Sequence, residues 1–304
     1  MKEDRVIEIL KGKVPDVVIS KILRRGLSLE EIVVMSDLEL AEELGIDKGI
    51  ASEILRTLSK EFLKPITADE LLTRRKTVLS SGIRDLDRLL NGGLPVNTIT
   101  GIYGPPGSGK TQLSLQFTAR SLLDLDKGGL STREAIFIDS EGSFEPRRSL
   151  DFLKLNGLKE EDLSRIRVLS APGPYQLKES LRYALDFVRK DITRFVCIDS
   201  ISHPFKRYKG FRELYKRQSE LQESLNILKR IAELGAVVIA TIHATKWGKE
   251  VISVGGSVLG LIPQNMLHLR RVRENIVIVT LEDSSYLPRG QAAFRITKYG
   301  IEDI

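Results

Sequence analysis

Residues 104–111 read GPPGSGKT, which fits the spacing G-x-x-x-x-G-K-[ST]. A backbone that wraps a polyphosphate needs glycine, because its N–H groups must point inward and a Cβ would block the approach. Lys110 then supplies positive charge to the β- and γ-phosphates, and Thr111 supplies a hydroxyl to Mg. Gly104, Pro105, Pro106, Gly107, Ser108, Gly109, Lys110 and Thr111 are therefore a candidate ATP site, with Mg as its metal. Such a site needs a second acid from a neighbouring strand. The apolar run RFVCIDS ends in Asp199, which would orient the Mg shell through water. Hydrolysis needs a group that positions water. AIFIDSEGSF ends in two acids, Asp139 and Glu141, and a glutamate just past a strand tip can polarise the attacking water. On position alone Glu141 reads equally as a loop carboxylate.

Two further stretches are basic and aromatic. Residues 203–214, HPFKRYKGFREL, hold Lys206, Arg207, Lys209 and Arg212 with Phe205, Tyr208 and Phe211 interleaved. Charges that track a phosphate backbone beside rings that stack on bases suit single-stranded DNA. The other reading is a solvated basic loop. Residues 239–256, IATIHATKWGKEVISVGG, carry the only Trp of the chain between Lys246 and Lys249. Trp247 reads either as a packed turn or as a ring offered to something flat and negative.

These groups must be held at strand ends. TITGIY before the glycine loop and TQLSLQF after it read as strand and helix. From about residue 77, β-branched segments (AIFIDSEG, IRVLSA, RFVCIDS, AVVIATIH) alternate with helical ones, which predicts an α/β domain with a mostly parallel sheet. MLHLRRV and NIVIVTLED follow one another without a helix, predicting an antiparallel extension. Residues 1–60 read as a separate all-α domain, with Gly45 and Gly49 flanking a tight turn and Ala51 opening the next helix. That hairpin is similar to a helix-hairpin-helix unit, in which turn N–H groups can hold a DNA phosphate. Residues 61–76 read as a linker, in which Pro65 breaks a helix and Thr67 caps the next with Glu70. The ATPase domain then spans 77–304.

The chain has 304 residues, net charge +6 and one cysteine. No apolar run spans a bilayer, the N-terminus does not read as a signal peptide, and Cys197 reads as a buried thiol. The expected place is the cytoplasm, at the nucleoid. The basic balance permits nucleic acid as a partner.

The order of motifs resembles archaeal RadA and eukaryotic recombinases of the RecA/RadA superfamily over nearly the whole chain. The matching pieces are SSGIRDLDRLLNGG, the GPPGSGKTQL loop, FIDSEGSFEPRR, CIDSIS, RQSEL and the closing LEDSSYLPRGQAAFRITKYGIED. The resemblance implies a RecA-like P-loop ATPase core, single-stranded DNA binding (with double-stranded DNA as an alternative), and a role in recombination and repair. It implies that Glu141 activates water and that Gln112 adjoins the nucleotide. Arg148 and, from a neighbouring subunit, Pro288 would sandwich the adenine, and Asp283 would belong to the same cap. It implies two DNA loops: the first contains Lys206, Arg207, Lys209 and Arg212, and the second contains Lys246, Trp247 and Lys249.

Departures point to a paralogue. Ala68 is kept, but Pro65 stands where a Phe would plug the next subunit, a contact worth about 2 to 3 kcal/mol of burial. Pro105-Pro106 is similar to RadB and clock-type relatives. Ile242-His243 replaces Asn-Gln, so His243 takes the γ-phosphate sensor position, and Leu261 replaces a histidine. The expected partner is a RadA recombinase or a second copy of the chain. The alternatives are the main filament-forming strand-exchange recombinase and a clock-type signalling ATPase without DNA.

Overall fold

The computed structural model describes residues 2–62, 67–73, 77–208, 213–247, 250–253 and 263–304. Two compact units divide the chain, Met1–Arg75 and Lys76–Ile304.

The first unit is helical: α1 (Lys2–Leu10), α2 (Asp16–Arg24), α3 (Leu29–Val33), α4 (Asp37–Leu44), α5 (Lys48–Phe62) and α6 (Ala68–Thr73). Its apolar stripes meet in a core that includes Leu10, Ile22, Ile32, Leu40, Ile54 and Leu58. Ser28 with Glu31 and Ser36 with Glu39 form reciprocal capping boxes on α3 and α4. Gly45 ends α4 at φ +57, a left-handed cap that glycine adopts at no steric cost. The turn closes sooner than the two glycines suggest. α5 begins at Lys48, because the Asp47 carboxylate accepts the Gly49 N–H at 2.7 Å and caps the helix there. Gly49 and Ala51 thus lie within the first turn of α5. At α6 the Thr67 N–H donates to Glu70 at 3.3 Å, half of a capping box. Pro65 lies outside the described residues.

The second unit opens with a small ribbon of β1 (Val78–Leu79) and β2 (Leu94–Pro95), separated by α7 (Arg84–Leu89). The main sheet contains β3 (Thr98–Gly104), β4 (Ala135–Asp139), β5 (Ile166–Ser170), β6 (Phe195–Asp199), β7 (Val237–Trp247), β9 (Asn265–Arg271), β10 (Ile276–Ser284), β11 (Gly290–Ile296) and β12 (Ile301–Glu302). A short strand, β8 (Glu250–Ser253), pairs with the far end of β7. The order is β12-β11-β10-β9-β3-β7-β6-β4-β5. From β5 to β9 all pairs are parallel, and from β9 to β12 all are antiparallel, the expected extension.

Side chains alternate across each strand, so both faces need cover. Phe137, Phe195 and Cys197 face α8 (Lys110–Ser121) and α9 (Pro146–Leu155), packing with Phe117 and Phe152. Ile136, Ile138, Val196 and Ile198 face α10 (Pro174–Arg189) and α11 (Leu214–Glu233), packing with Leu181, Leu185, Leu225 and Leu228. Cys197 is fully buried, and burial pushes its thiol pKa well up. The register decides what meets at the strand ends: Gly104 pairs with His243, and Asp139 pairs with Asp199.

One expectation is corrected. The Trp247 segment is a β-hairpin rather than a loop: Ala244 pairs with Ser253 and Trp247 with Glu250. The β-branched residues Thr245, Val251 and Ile252 favour continued pairing beyond the core. Gly255, Gly256 and Leu261 lie outside the described residues.

Candidate nucleotide and nucleic-acid site

The carboxyl ends of β3, β4 and β6, and β7 at His243, converge on the glycine loop. Gly104 (φ +156), Gly107 (φ +75) and Gly109 (φ +104) carry the left-handed backbone that the loop requires. A Cβ at Gly104 would sit 2.3 Å from the Leu269 carbonyl oxygen, so only glycine fits there. Pro105 holds the loop compact by accepting the Ser108 N–H at 3.1 Å. Pro106 is exposed beside it. The Ser108 hydroxyl is buried, with no hydrogen-bond partner. Lys110 folds back and donates to the Gly104 and Pro105 carbonyls at 2.9 and 3.2 Å. Burial lowers its pKa, and Asp199 and Glu141 oppose that shift.

Thr111 and Asp199 meet directly: Thr111 Oγ1 donates to Asp199 Oδ2 at 2.5 Å, and Thr241 donates to the other oxygen. Asp199 is almost fully buried. Burial raises its pKa, while the two hydroxyls hold it down. A buried carboxylate with a threonine hydroxyl is an all-oxygen donor set, and it fits a hard cation such as Mg.

Glu141 stands two residues beyond β4. Asp139 sets the turn: its carboxylate accepts the N–H groups of Glu141, Gly142, Ser143 and Phe144 at 2.9–3.2 Å. Ser140 and Ser200 lock β4 to β6 through reciprocal 2.8 Å hydrogen bonds. His243 Nε2 lies 2.7 Å from Glu141 Oε1, off the line of a well-aligned hydrogen bond. Contact with His243 holds the Glu141 carboxyl at about 2, against the opposing effect of burial. The His243 backbone N–H donates to Ser202 Oγ at 3.1 Å. The sequence singles out Asp139 without giving it a role, and it does not point to Ser140, Thr241, Ser202 or His203. The DS repeat at both strand tips was the available signal for Asp139 and Ser140.

Arg148, on α9, is held edge-on by Gln112 Oε1 (2.8 Å) and the carbonyls of Thr297 (2.8 Å) and Lys298 (2.6 Å), with one face over Phe152. Asp283 and Pro288 are both exposed, Asp283 in β10 and Pro288 in the turn before β11.

On the basic stretch, Lys206 and Arg207 are exposed at the end of a short 3-10 turn, His203–Arg207. Two of the expected stacking rings are not free. Phe205 is buried in the core under α10 and α11, and Tyr208 is half-buried with its hydroxyl on Glu220. An apolar ring beside the strand tip gains more from the core than from solvent. Tyr175 and Tyr215 are instead exposed, at 69% and 82%. A cleft of about 330 Å³ opens between Tyr175, Arg207, Tyr208 and Lys216. Lys209, Arg212 and Lys249 lie outside the described residues, while Lys246 and Trp247 are placed only by their backbone pairing in the hairpin.

Residues 73–304 match the family described as Rad51. The chain is 31% identical to the "DNA repair and recombination protein RadA" of Metallosphaera sedula, over 99% of this chain and 97% of that protein. Among the described residues, no helix is long and apolar enough to cross a membrane.

Proposed function

The chain belongs to the Rad51 family, with a RecA-like α/β core and a helical N-terminal region, and from that premise we propose that it is an ATP-hydrolysing, DNA-binding paralogue that assists a RadA-type recombinase. The observation that carries the reading is the meeting of Lys110, Thr111, Asp199 and Glu141 at adjoining strand ends. The glycine loop, with its unsatisfied Ser108 hydroxyl, cradles the phosphates, and Lys110 exchanges its carbonyl partners for phosphate oxygens. Thr111 and Asp199 would hold Mg, which when bound neutralises charge on the β- and γ-phosphates. Glu141, ionised and fixed by Asp139, orients the attacking water. Gln112 and Arg148 border the nucleotide, and Asp283 and Pro288 cap it from a neighbouring copy. Lys206 and Arg207, with Lys209 and Arg212, contact phosphates of single-stranded DNA, and the hairpin adds Lys246, Trp247 and Lys249. It acts in the cytoplasm, at the chromosome.

His243 favours an assisting role over that of the main strand-exchange enzyme. It stands at the sensor position and lies against the hydrolytic carboxylate, so ATP state is read differently from a Gln-bearing recombinase. The test is ATP turnover and binding with and without single-stranded DNA. Lys110→Ala is expected to abolish turnover, while Glu141→Gln keeps ATP binding and loses about a hundredfold or more in rate. Normal hydrolysis by Glu141→Gln would remove Glu141 from this role. Long helical filaments by electron microscopy with ATP and DNA would favour the strand-exchange reading instead.

A further inference from the structure

Two of the chain's three histidines stand at this strand edge, and the nucleotide reading uses only one of them. Glu141 lies two residues past β4, His203 four residues past β6, and His243 within β7, and these three strands are neighbours in the sheet. One ligand atom from each residue falls within a group spanning no more than 4.8 Å. Nδ1 of His203 is buried without a hydrogen-bond partner, while Nε2 of His243, also buried, has the Glu141 carboxylate 2.7 Å away but off the line of a hydrogen bond. The two rings are tilted at 43°, with centroids 6.1 Å apart. A buried imidazole nitrogen without a partner, as at His203 Nδ1, is costly unless something in the site accepts from it or donates to it.

We propose that Glu141, His203 and His243 form a binding site for a divalent transition metal, Zn2+ first among them, separate from the Mg position at Thr111 and Asp199. Imidazole nitrogen suits Zn2+, whereas Mg2+ takes oxygen, so the two sites sort metals by ligand type. A tetrahedral Zn2+ with ligands near 2.0–2.1 Å sets its donors about 3.3 Å apart. For that geometry the 2.7 Å Glu141–His243 contact must open slightly and the wider spacings, none above 4.8 Å, must close. Three protein ligands leave a fourth position for water. The backbone of the site is already fixed, through Asp139 at Glu141 and Ser202 at His243. The site therefore takes the water-orienting carboxylate out of hydrolysis when metal is bound, a consequence that rests on the role proposed for Glu141.

The test uses untagged, chelator-treated, full-length protein without nucleotide. Co2+ is titrated in and followed by its visible absorbance, then displaced with buffered Zn2+. One equivalent of tetrahedral Co2+ is expected. His203→Asn and His243→Gln should each weaken binding at least about tenfold. His268→Asn should leave binding unchanged, since His268 already contacts Glu282 and stacks on Tyr103. Circular dichroism and Mg-ATP binding of His203→Asn report whether the fold survives. Absence of a stoichiometric Co2+ signal, or its persistence in both variants, would mean that water alone satisfies these nitrogens, and the site falls. In a second arm, Zn2+ should slow ATP turnover in the wild type and spare His203→Asn. If Zn2+ binds at the site and turnover is unchanged, the site stands and the hydrolytic role of Glu141 falls.

Discussion

At the scale of single residues, the site depends on groups that aim others. Asp139 accepts four backbone N–H groups and so fixes where Glu141 points. Asp139→Ala should cost about 2–3 kcal/mol in denaturant unfolding. It should also lower ATP turnover with ATP affinity nearly unchanged. His243 sets the ionisation of Glu141. Because the folded carboxyl titrates at about 2 rather than 4.5, the contact stabilises the fold above the ordinary carboxylate range. That contribution is lost as pH falls through the lower value. In His243→Ala the Glu141 midpoint should move up toward 4.5, read from the carboxyl carbon shift in an NMR titration. The phosphate loop, Asp199 and Glu141 were legible in the sequence because each lies in a short motif at a strand tip. The meeting of His203 with His243 was not, since it depends on β6 and β7 lying side by side 40 residues apart. Phe205 reads as a stacking ring in the sequence and is buried in the structure, because composition does not say which face of a turn is covered.

At the scale of elements, the phosphate loop tolerates no side chain at its first glycine. Gly104→Ala puts a Cβ against the Leu269 carbonyl and the Ser108 hydroxyl, at 2.3 and 2.7 Å, on a backbone with positive φ. It should cost about 3 kcal/mol or more by thermal or denaturant unfolding and abolish ATP binding. The 3-10 turn after β6 presents Lys206 and Arg207 outward. Replacing both with Ala should weaken single-stranded DNA binding. It should also reduce the slope of log affinity against log salt by about 1.4, if each makes one phosphate contact. The hairpin carries the only Trp, so its fluorescence reports that element alone. Quenching by single-stranded DNA is expected, with Trp247→Ala costing about 1–3 kcal/mol of affinity. A blue-shifted signal insensitive to DNA would show a packed ring. The strand nature of this segment was hidden in the sequence by its polar, lysine-rich spacing. The pairing of Thr245 with Ile252 that extends the ladder is a cross-strand fact.

At the scale of the whole molecule, the chain separates into a helical unit and an α/β unit with independent cores. Residues 76–304 expressed alone should fold and bind ATP, as circular dichroism and a fluorescent ATP analogue would report. The class of each unit was legible from its hydrophobic period, 3.6 residues in the first 60 and alternating strand and helix thereafter. The order of the strands was not, because local patterns do not encode which strand becomes central. One consequence follows from the length of β7. It runs unbroken from Val237 through His243 to Trp247. The reach from His243 to the hairpin end is four residues, about 13 Å of two-stranded ladder. If that ladder stays paired, a strand of this length would work as a lever arm. A small tilt imposed at the phosphate end would then become a larger sweep at the tip, and a load placed on the tip would return to the phosphate end as torque.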